Sequence, residues 1–399
     1  MKRTIAFLVN TSLEFNVRAV KTLKSLAKEF EIVVFQNGEI VIPDALKTIA
    51  GIDYCDISHT LKGHPLDVHL CIGNDFFHAR FVIEEILSKK GISLDCVYVV
   101  DFPTLKTGWY VARKAGAKLV YDSYELYVET LNQYYPIHQP GFKKWIFHLL
   151  IFVSRRVNRY REARLMRKVD LLITTCKSYL DYFYRHYQVK QAAIIRNTPE
   201  FVDYADIKPV NLHQAYQIPL GKRIVLYIGT FNAGRSLDKL VLAGKYLDEH
   251  THILLLGFGS LRGYLEELIK AHAITNVTIA GPFEMQDTLS LIKGAELGVL
   301  FTDATNLSKY LSSANKVFDY MMAGVPVLLS DTPENSEMLE KVGNGVLISE
   351  LSVVEVATKI KMVLNSEKIN DMKMRGLVYS SKEGNWAEEE LKLLRIIRV

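Results

Sequence analysis

The stretch of sequence that decides the fold is ANKVFDYMMAGVPVL, residues 314–328. Its polar start and its apolar residues at near-helical spacing predict a helix over 315–322. Gly324 is suited to end that helix, and Pro326 cannot continue it because proline has no backbone N–H. The apolar residues that follow predict a buried strand over 326–329. A helix joined by a short turn to a buried strand is the repeating unit of a parallel α/β sheet.

The same alternation continues through the second half of the chain, where each short apolar run ends in a turn rich in Gly, Asp or Asn. The predicted strands are 224–228, 252–256, 277–280, 297–301 and 326–329. The predicted helices are 236–247, 263–271, 285–293 and 315–322. This pattern indicates a doubly wound unit with a parallel sheet.

The first half shows a second alternating set, separated from the other by a polar, irregular stretch over 200–219. The predicted strands are 4–9, 32–35, 68–72, 96–100, 118–121, 171–174 and 193–195, and the predicted helices are 17–29, 81–89 and 105–115. We therefore expect an α/β protein with two doubly wound domains, 1–200 and 201–378, and a final segment over 379–399. Ligands of such sheets bind outside the carboxyl ends of the strands.

Composition narrows the class of protein. The 399 residues include 49 Lys or Arg and 44 Asp or Glu, a net charge of +5 without a long basic block, so we expect no nucleic-acid partner. The four cysteines are far apart, which argues against a zinc site or disulfides and fits a reducing cytoplasm. No run of about 18 apolar residues occurs, so we expect no transmembrane helix.

Two glycine-containing turns follow predicted strands. In GTFNAGR, which runs from Gly229 to Arg235, backbone N–H groups and the next helix favour an anion, and Arg235 is suited to a diphosphate. The alternative is an ordinary strand–helix turn with a solvated arginine. Gly257 and Gly259 permit close approach of a ligand, and Phe258 between them is suited to stack on a base. The alternative is a tight turn with a partly buried phenylalanine.

The helix over 315–322 carries a third set of polar residues, after two serines at 312 and 313 that we expect to cap it. Asn315 and Lys316 lie in its first turn, where N–H groups point towards an anion. Asp319 follows one turn later and is suited to hold the hydroxyls of a ribose. A capped amphipathic helix with a surface aspartate explains the same residues, and composition alone does not decide between the two.

Residues 315–328 resemble the PNKxFEYMAxGxPV segment of retaining GT-B glycosyltransferases, notably the large family 4. Further segments resemble that family in its own order: NVRAV at 16–20, VYDSYEL at 120–126, IRNTP at 195–199, YIG at 227–229 and LLGFG at 255–259. The resemblance implies the GT-B fold, in which two Rossmann-like domains face each other across a cleft. It also implies that a C-terminal helix within 379–399 crosses back to the N-terminal domain.

The resemblance further implies a glycosyltransferase that moves a sugar from a UDP- or GDP-sugar to a glycan or lipid-linked acceptor, with retention and without a metal or other cofactor. The implied donor-binding residues are Gly229, Thr230, Arg235, Gly257, Phe258, Gly259, Asn306, Asn315, Lys316, Val317 and Asp319. The implied catalytic residues are Arg235, Lys316, Asp101 and Tyr124. Asn16, with Asp101 and Tyr124, is implied to face the acceptor or the transferred sugar.

Three positions depart from the family's pattern. Leu311 stands where the first of two glutamates often lies, Thr230 where a basic residue often follows the glycine, and Tyr124 where the family has histidine. The contact to the hydroxyls of the donor sugar is left open, with Asp303 or Asn306 as candidates. These departures motivate an alternative, a degenerate GT-B protein that binds nucleotide sugars without turnover. A nucleotide-sugar epimerase is a second alternative.

Residues 143–168 contain nine Lys or Arg and one Glu, together with Trp and Phe. A basic amphipathic helix of this kind is typical of contact with an anionic membrane surface. The alternative is a core-packed helix with a solvated arginine face. We expect a cytoplasmic protein, peripheral on the inner face of the membrane through this segment, that acts in surface polysaccharide or glycan assembly.

Overall fold

The computed structural model describes residues 2–37, 39–58, 71–131, 142–303 and 306–398. These residues form two compact units. The first consists of Met1–Arg196, Asn306–Ser308 and Glu390–Val399, and the second of Asn197–Thr305 and Lys309–Glu389. The division after Arg196 lies close to the predicted one after residue 200. The predicted final segment differs, because residues 379–389 belong to the second unit.

The first unit is built on a parallel sheet with the strand order β3-β2-β1-β4-β5-β6-β7 among its described residues. Its strands are β1 Thr4–Val9, β2 Glu31–Gln36, β3 Ile52–Asp56, β4 Cys96–Val100, β5 Lys118–Ser123, β6 Leu171–Thr174 and β7 Ala192–Ile194. Its helices are α1 Val17–Leu26, α2 Asp44–Lys47, α3 Asn74–Phe77, α4 Arg80–Lys89, α5 Asp101–Ala115, α6 Phe142–Met166 and α7 Lys177–His186. The inner strands are continuous apolar runs because helices cover both faces of a parallel sheet.

One edge of this sheet differs from the sequence prediction. Most of the predicted strand over 68–72 lies outside the described residues, and its last two residues form no strand. The edge strand is β3 instead, which pairs with β2 from Ile32 and Ile52 to Gln36 and Asp56. This strand carries two aspartates and is only partly buried, so its apolar pattern is too weak to show in the sequence.

The second unit has a parallel sheet with the order β10-β9-β8-β11-β12-β13. Its strands are β8 Arg223–Thr230, β9 Thr251–Phe258, β10 Val277–Ala280, β11 Leu297–Leu300, β12 Val327–Ser330 and β13 Gly345–Ile348. Its helices are α8 Leu212–Ala215, α9 Leu237–Ala243, α10 Arg262–Ala271, α11 Thr288–Lys293, α12 Leu307–Leu311, α13 Lys316–Met322, α14 Pro333–Val342, α15 Val353–Leu364, α16 Ile369–Lys382 and α17 Trp386–Arg398. Both α12 and α17 include residues that group with the first unit.

Successive residues of β8 enter different cores of the second unit. Leu226 and Ile228 belong to a buried cluster with Phe318 of α13, whereas Val225 and Tyr227 belong to the cluster on the other face. The strand therefore contributes to two apolar layers, as expected for a doubly wound sheet. The strand order reverses between β8 and β11, so the loops after these two strands flank the switch point where ligands of open α/β sheets bind.

The helix predicted over 315–322 is α13, which starts one residue later, at Lys316. The predicted capping by the two preceding serines is wrong. The hydroxyl of Ser312 donates to the carbonyl of Lys309 at 2.8 Å, and the N-cap residue is Asn315, whose side chain makes no capping hydrogen bond. Gly324 follows the helix with a left-handed φ of +66°, as its place in the sequence predicts.

Candidate functional site

The turn between β8 and α9 is held by the segment that follows β11. The backbone N–H of Asp303 donates to the carbonyl of Gly234 at 3.0 Å, and the hydroxyl of Ser236 donates to the Asp303 carboxylate. The Lys309 ammonium donates to the carbonyl of Ala233 at 3.0 Å. Three bonds from one segment therefore fix the turn that contains the predicted diphosphate-binding residue. Ser236 is buried and has a left-handed φ of +45°, which adds a specific shape to this turn.

Arg235 lies within this turn and is partly exposed. Within the described part of the chain its guanidinium makes no hydrogen bond and no ion pair. Burial raises the pKa of the nearby Tyr227 hydroxyl to about 12, and the positive charge of Arg235 acts in the opposite direction. That hydroxyl donates to the carbonyl of Thr230 at 2.8 Å. The site thus combines a fixed turn with a cation that pairs with no carboxylate of the described residues, which is suited to bind an anion.

The glycines after β9 are required by the protein backbone itself. A Cβ atom on Gly257 would lie 1.8 Å from the carbonyl oxygen of Gly229, and one on Gly259 would lie 2.5 Å from that of Phe231. Both glycines also have positive φ angles, +157° and +150°. The sequence interpretation assigned these glycines to close approach of a ligand. The structure gives them a packing role, while Phe258 between them is 58% exposed and open to contact.

The two predicted ligand contacts of α13 bind each other. The Lys316 ammonium lies 3.0 Å from Oδ2 of Asp319, one turn along the helix. The side chain of Val317 is buried in the core, and its N–H donates to the carbonyl of Ala314 at 2.9 Å. Asn315 is exposed. A ligand at this helix start would therefore meet the side chain of Asn315 and a lysine already engaged by an aspartate.

Asn306 is buried and is grouped with the first unit, unlike the other predicted donor-binding residues, which belong to the second. Its neighbour Ser308 is fixed in the first unit by two side-chain contacts. The hydroxyl of Tyr179 donates to the carbonyl of Ser308 at 3.0 Å, and the N–H of Leu126 donates to its hydroxyl oxygen at 3.2 Å. Asp303 is partly exposed, but its carboxylate already accepts a hydrogen bond from Ser236 in the turn after β8.

In the first unit, Asp101 and Tyr124 are adjacent. Asp101 follows β4 with a left-handed φ of +59°, and its carboxylate accepts the N–H of Tyr124 at 2.8 Å. Burial, reinforced by the negative charge of Glu125, raises the pKa of Asp101 to about 8. Burial also raises the pKa of Tyr124 well above its ordinary value, so its hydroxyl is neutral. The pair therefore offers a carboxyl group that carries a proton at neutral pH.

A buried ion pair between Arg18 and Asp122, which the sequence did not predict, packs against Tyr124. Arg18 donates to Oδ1 of Asp122 at 3.0 Å and to the carbonyl of Ile195 at 2.7 Å, and its guanidinium lies 4.8 Å from the ring centroid of Tyr124. The hydroxyl of Tyr98 also donates to Asp122. Both charged residues stand in the quoted motifs NVRAV and VYDSYEL, so those motifs contained the signal without revealing the pairing.

Asn16 has a local structural role. Its side-chain oxygen accepts the N–H of Ala19 at 3.0 Å and caps α1. One of its predicted contacts to the acceptor or the sugar is therefore already used by the helix. Of the described His, Cys, Asp and Glu residues, no three are grouped so that they could hold a metal ion.

The comparisons with known proteins agree with this architecture. Residues 222–366 match the family described as "Glycosyl transferases group 1". Sucrose-phosphate synthase from Thermosynechococcus elongatus superposes with a TM-score of 0.74 at 15% identity and covers 100% of this chain and 98% of its own. Anabaena Alr3699/HepE, solved in complex with UDP and glucose, gives 0.73 at 14% identity and covers 99% of both chains.

A third solved structure, WaaG, is a glycosyltransferase involved in lipopolysaccharide biosynthesis. It has a TM-score of 0.66 at 14% identity and covers 98% of this chain and 99% of its own. By sequence alone, no curated protein matches. The two parallel sheets are those of the GT-B fold, and residues 222–366 match the group 1 glycosyltransferase family model. The predicted fold class, the resemblance to GT-B glycosyltransferases and the enzyme class are confirmed, whereas family 4 and the retaining mode stay predictions.

Proposed function

We propose that this glycosyltransferase moves a sugar from a nucleoside-diphosphate sugar to a glycan or lipid-linked acceptor. The observation that carries the proposal is Arg235, a cation without a carboxylate partner among the described residues, in a turn fixed by Asp303 at the switch point of the sheet. A diphosphate is the part of such a donor that needs fixed positive charge. The complex of Anabaena Alr3699/HepE with UDP and glucose supports a UDP-sugar as the first donor to test.

The proposed chemistry breaks the bond between the anomeric carbon and the diphosphate oxygen and forms a bond from that carbon to an acceptor hydroxyl. Arg235 and Lys316 stabilise the charge that develops on the leaving diphosphate, without a metal. The acceptor's proton passes to the leaving phosphate, and attack on the face that the diphosphate leaves gives retention. We propose that Asp101 contacts a sugar hydroxyl through its protonated carboxyl group. The hydroxyl of Tyr124 is buried, so the proposed contribution of Tyr124 is its backbone N–H, which holds the Asp101 carboxyl group at 2.8 Å.

Binding of a nucleoside diphosphate is the first test. In a thermal-shift screen with UDP, GDP, ADP, CMP and dTDP, only a nucleotide that binds the folded state raises the melting temperature of the protein. We expect one base to be preferred and its shift to be lost in Arg235→Ala. A shift that survives in this variant would contradict the proposed site. Hydrolysis or transfer from the matching sugar nucleotide, followed by NMR of the product anomer, then tests turnover and retention.

A degenerate GT-B protein, which binds nucleotide sugars without turnover, would show the same nucleotide binding and form no product. Leu311 and Thr230, which stand where the resembled family often has glutamate and a basic residue, motivate it. An epimerase would instead return an altered sugar nucleotide in the absence of any acceptor. One incubation of the matched sugar nucleotide, with and without a pool of glycan and lipid-linked acceptors, separates the three outcomes because each leaves a different product.

We also propose peripheral membrane contact through α6. An exposed stripe runs along this helix and consists of Trp145, Leu149, Phe152, Arg156 and Tyr160. Trp145 and Tyr160 are each 65% exposed, and the guanidinium of Arg156 lies 4.6 Å from the ring centroid of Phe152. Aromatic and basic side chains on one exposed face suit an anionic lipid surface. The side chains of Lys143 and Lys144 lie outside the described part.

Two other arginines of α6 have a structural role. Arg159 donates to Oε1 of the buried Glu129 at 2.6 Å, and Nε of Arg155 lies 3.5 Å from its Oε2. Binding to vesicles with anionic lipid should therefore be tested with Phe152→Ser and Arg156→Glu, which leave Glu129 paired. Unchanged binding of both variants would remove the membrane contact. No helix among the described residues is long and apolar enough to span a bilayer.

We further propose that the protein acts on the cytoplasmic side of the membrane in the assembly of surface polysaccharide or another glycan. Arg156 within the exposed stripe supports this setting, because the cytoplasmic leaflet carries the anionic lipids. The test is the cell fraction in which the protein is found, with Arg156→Glu as the variant expected to leave the membrane fraction.

A further inference from the structure

A network of buried side chains contacts the segment that holds Asp101. Arg18 of α1 is 4% exposed, and its guanidinium donates to Oδ1 of Asp122 at 3.0 Å and to the carbonyl of Ile195 at 2.7 Å. The hydroxyl of Tyr98 donates to Oδ2 of the same carboxylate. Asp122 is fully buried, so its removal from water is costly unless its charge is paired and hydrogen-bonded. Arg18 and Tyr98 together meet that requirement.

The same guanidinium also contacts Tyr124, which lies two residues after Asp122. The centre of the Arg18 guanidinium is 4.8 Å from the centroid of the Tyr124 ring, and a cation at this distance is attracted to the face of an aromatic ring. The hydroxyl of Tyr124 is buried, so it is not available to a ligand. The side chain of Tyr124 therefore serves to hold the chain in place, and Arg18 is the residue against which it is held.

The backbone of Tyr124 in turn holds Asp101. Its N–H donates to Oδ1 of the Asp101 carboxyl group at 2.8 Å. Asp101 has a left-handed φ of +59°, a conformation that is unfavourable for a residue with a Cβ atom and that persists only where the surroundings fix it. Such residues cluster at active sites. The position of the carboxyl group therefore depends on the backbone of Tyr124 and, through the ring and Asp122, on Arg18.

We propose that Arg18 is a positioning residue of the sugar transfer. It fixes the backbone of Tyr124 so that the carboxyl group of Asp101 is held for contact with a sugar hydroxyl. This inference rests on the proposed function and adds a buried residue that acts through Asp101. It also gives a reason for tyrosine at position 124, where the resembled family has histidine, because the ring offers a face to the guanidinium.

The test is a double-mutant cycle between Arg18 and Asp101, with kcat and KM of sugar transfer as the readout. Arg18→Lys keeps the charge but loses the planar fork that meets Asp122 and Ile195 while it stacks on a ring. We expect it to lower kcat about tenfold to 100-fold, because a small displacement of a contacting group is costly, and to change KM for the sugar nucleotide less than about twofold.

The second arm of the cycle uses Asp101→Gly, which removes the carboxyl group and tolerates a left-handed φ. In this background Arg18→Lys should lower kcat no further, because the group that Arg18 positions is already absent. An equal loss of kcat with and without the Asp101 carboxyl group would show that Arg18 acts only on the stability of the fold, and would overturn the proposal.

Arg159→Met is the matched control. It removes an arginine from another buried carboxylate of the first unit, that of Glu129, and should leave kcat unchanged with or without the Asp101 carboxyl group. If Arg18→Lys does not fold, Arg18→Met combined with Asp122→Asn takes its place in the cycle, since this combination leaves no unpaired buried charge. We expect the same pattern from it.

A second readout does not depend on turnover. In protein with isotope-labelled tyrosine, NMR should show the Tyr124 amide protected from hydrogen exchange by its bond to Asp101. We expect this protection to fall about tenfold or more in Arg18→Lys and to persist in Arg159→Met. Unchanged protection in Arg18→Lys would overturn the proposal. Absence of sugar transfer by the wild type would instead overturn the proposed function, while the exchange of this amide would still decide whether Arg18 fixes the segment.

Discussion

The Lys316 ammonium and Oδ2 of Asp319 are 3.0 Å apart, so two side chains expected to hold different parts of a nucleotide hold each other. Their side chains are 27% and 17% exposed, which leaves the pair within reach of solvent and of a ligand. An i,i+3 pair of this kind stabilises a helix by only about 0.2–0.5 kcal/mol. A nucleotide that offers a diphosphate to the lysine and ribose hydroxyls to the aspartate can therefore replace it at little cost.

If Asp319 binds the ribose, as the resemblance implies, Asp319→Asn should lose discrimination between ribose and deoxyribose. We expect the wild type to bind UDP about tenfold more tightly than 2′-deoxy-UDP, since a hydrogen bond to a charged group contributes about 1.5–3 kcal/mol. In the variant this ratio should fall towards one. Titration of both nucleotides into both proteins measures it, with GDP and its deoxy form used if GDP is the preferred base. A ratio unchanged by the substitution would assign Asp319 to the pairing with Lys316 alone.

Arg235→Ala should lower kcat/KM for the sugar nucleotide about 100-fold, because a fixed cation at the leaving group stabilises the transition state. Arg235→Lys keeps the charge and should recover part of the rate. The matched control is Arg185→Ala, which removes an exposed arginine from α7 of the first unit. Initial rates over a range of donor concentrations give the result. A control that slows as much as Arg235→Ala would show that the loss reflects net charge and not the site.

Gly257→Ala should destabilise the second unit by about 3 kcal/mol or more, because the added Cβ meets the carbonyl of Gly229 and the φ angle is unfavourable for alanine. Gly263→Ala is the control. Its added Cβ meets nothing within 4 Å, and alanine in α10 should stabilise that helix by up to about 1 kcal/mol. Urea unfolding of both variants gives the comparison. Equal stability of Gly257→Ala and the wild type would contradict the close packing of β8 and β9.

The raised pKa of Asp101 predicts that the free energy of unfolding depends on pH. Its folded pKa of about 8 lies above the unfolded value of about 3.9, so the folded state binds its proton more tightly. Stability should fall as pH rises between these two values, because the folded state must give up a proton that the unfolded state has already lost. Asp101→Asn should remove part of this fall, since an amide keeps an acceptor for the N–H of Tyr124.

Unfolding by urea at pH 5, 6, 7 and 8 measures the effect. Glu162 contributes in the same direction, because burial raises its pKa to about 7 despite hydrogen bonds from Tyr187 and Tyr121. Glu162→Gln is therefore the companion variant. The slope of its free energy of unfolding against pH should differ from that of the wild type mainly below pH 7. A profile of Asp101→Asn that is parallel to the wild type from pH 5 to pH 8 would show that Asp101 does not carry the proton.

The sequence by itself determined the layered α/β architecture. Buried strands of parallel sheets are short continuous apolar runs, and those of β1, β4, β8 and β9 stand out between helical patterns. The order of weak motifs also predicted the resemblance to GT-B glycosyltransferases, since several segments in one order are far more specific than any one of them. Arg235 could be proposed for a phosphate-binding turn from the sequence because this proposal depends only on its neighbours in the chain. The i,i+3 spacing of Lys316 and Asp319 contained their pairing as well.

Only the tertiary structure decided which distant side chains complete the site. The bond from Ser236 to Asp303 joins residues 67 positions apart, and the bond from Lys309 to Ala233 joins residues 76 positions apart. No local periodicity encodes such contacts, because they depend on which strands become neighbours at the switch point of the sheet. The edge strand β3 escaped the sequence for a related reason. An edge strand is stabilised by one neighbour and need not be apolar, so pairing with β2 defines it and composition does not.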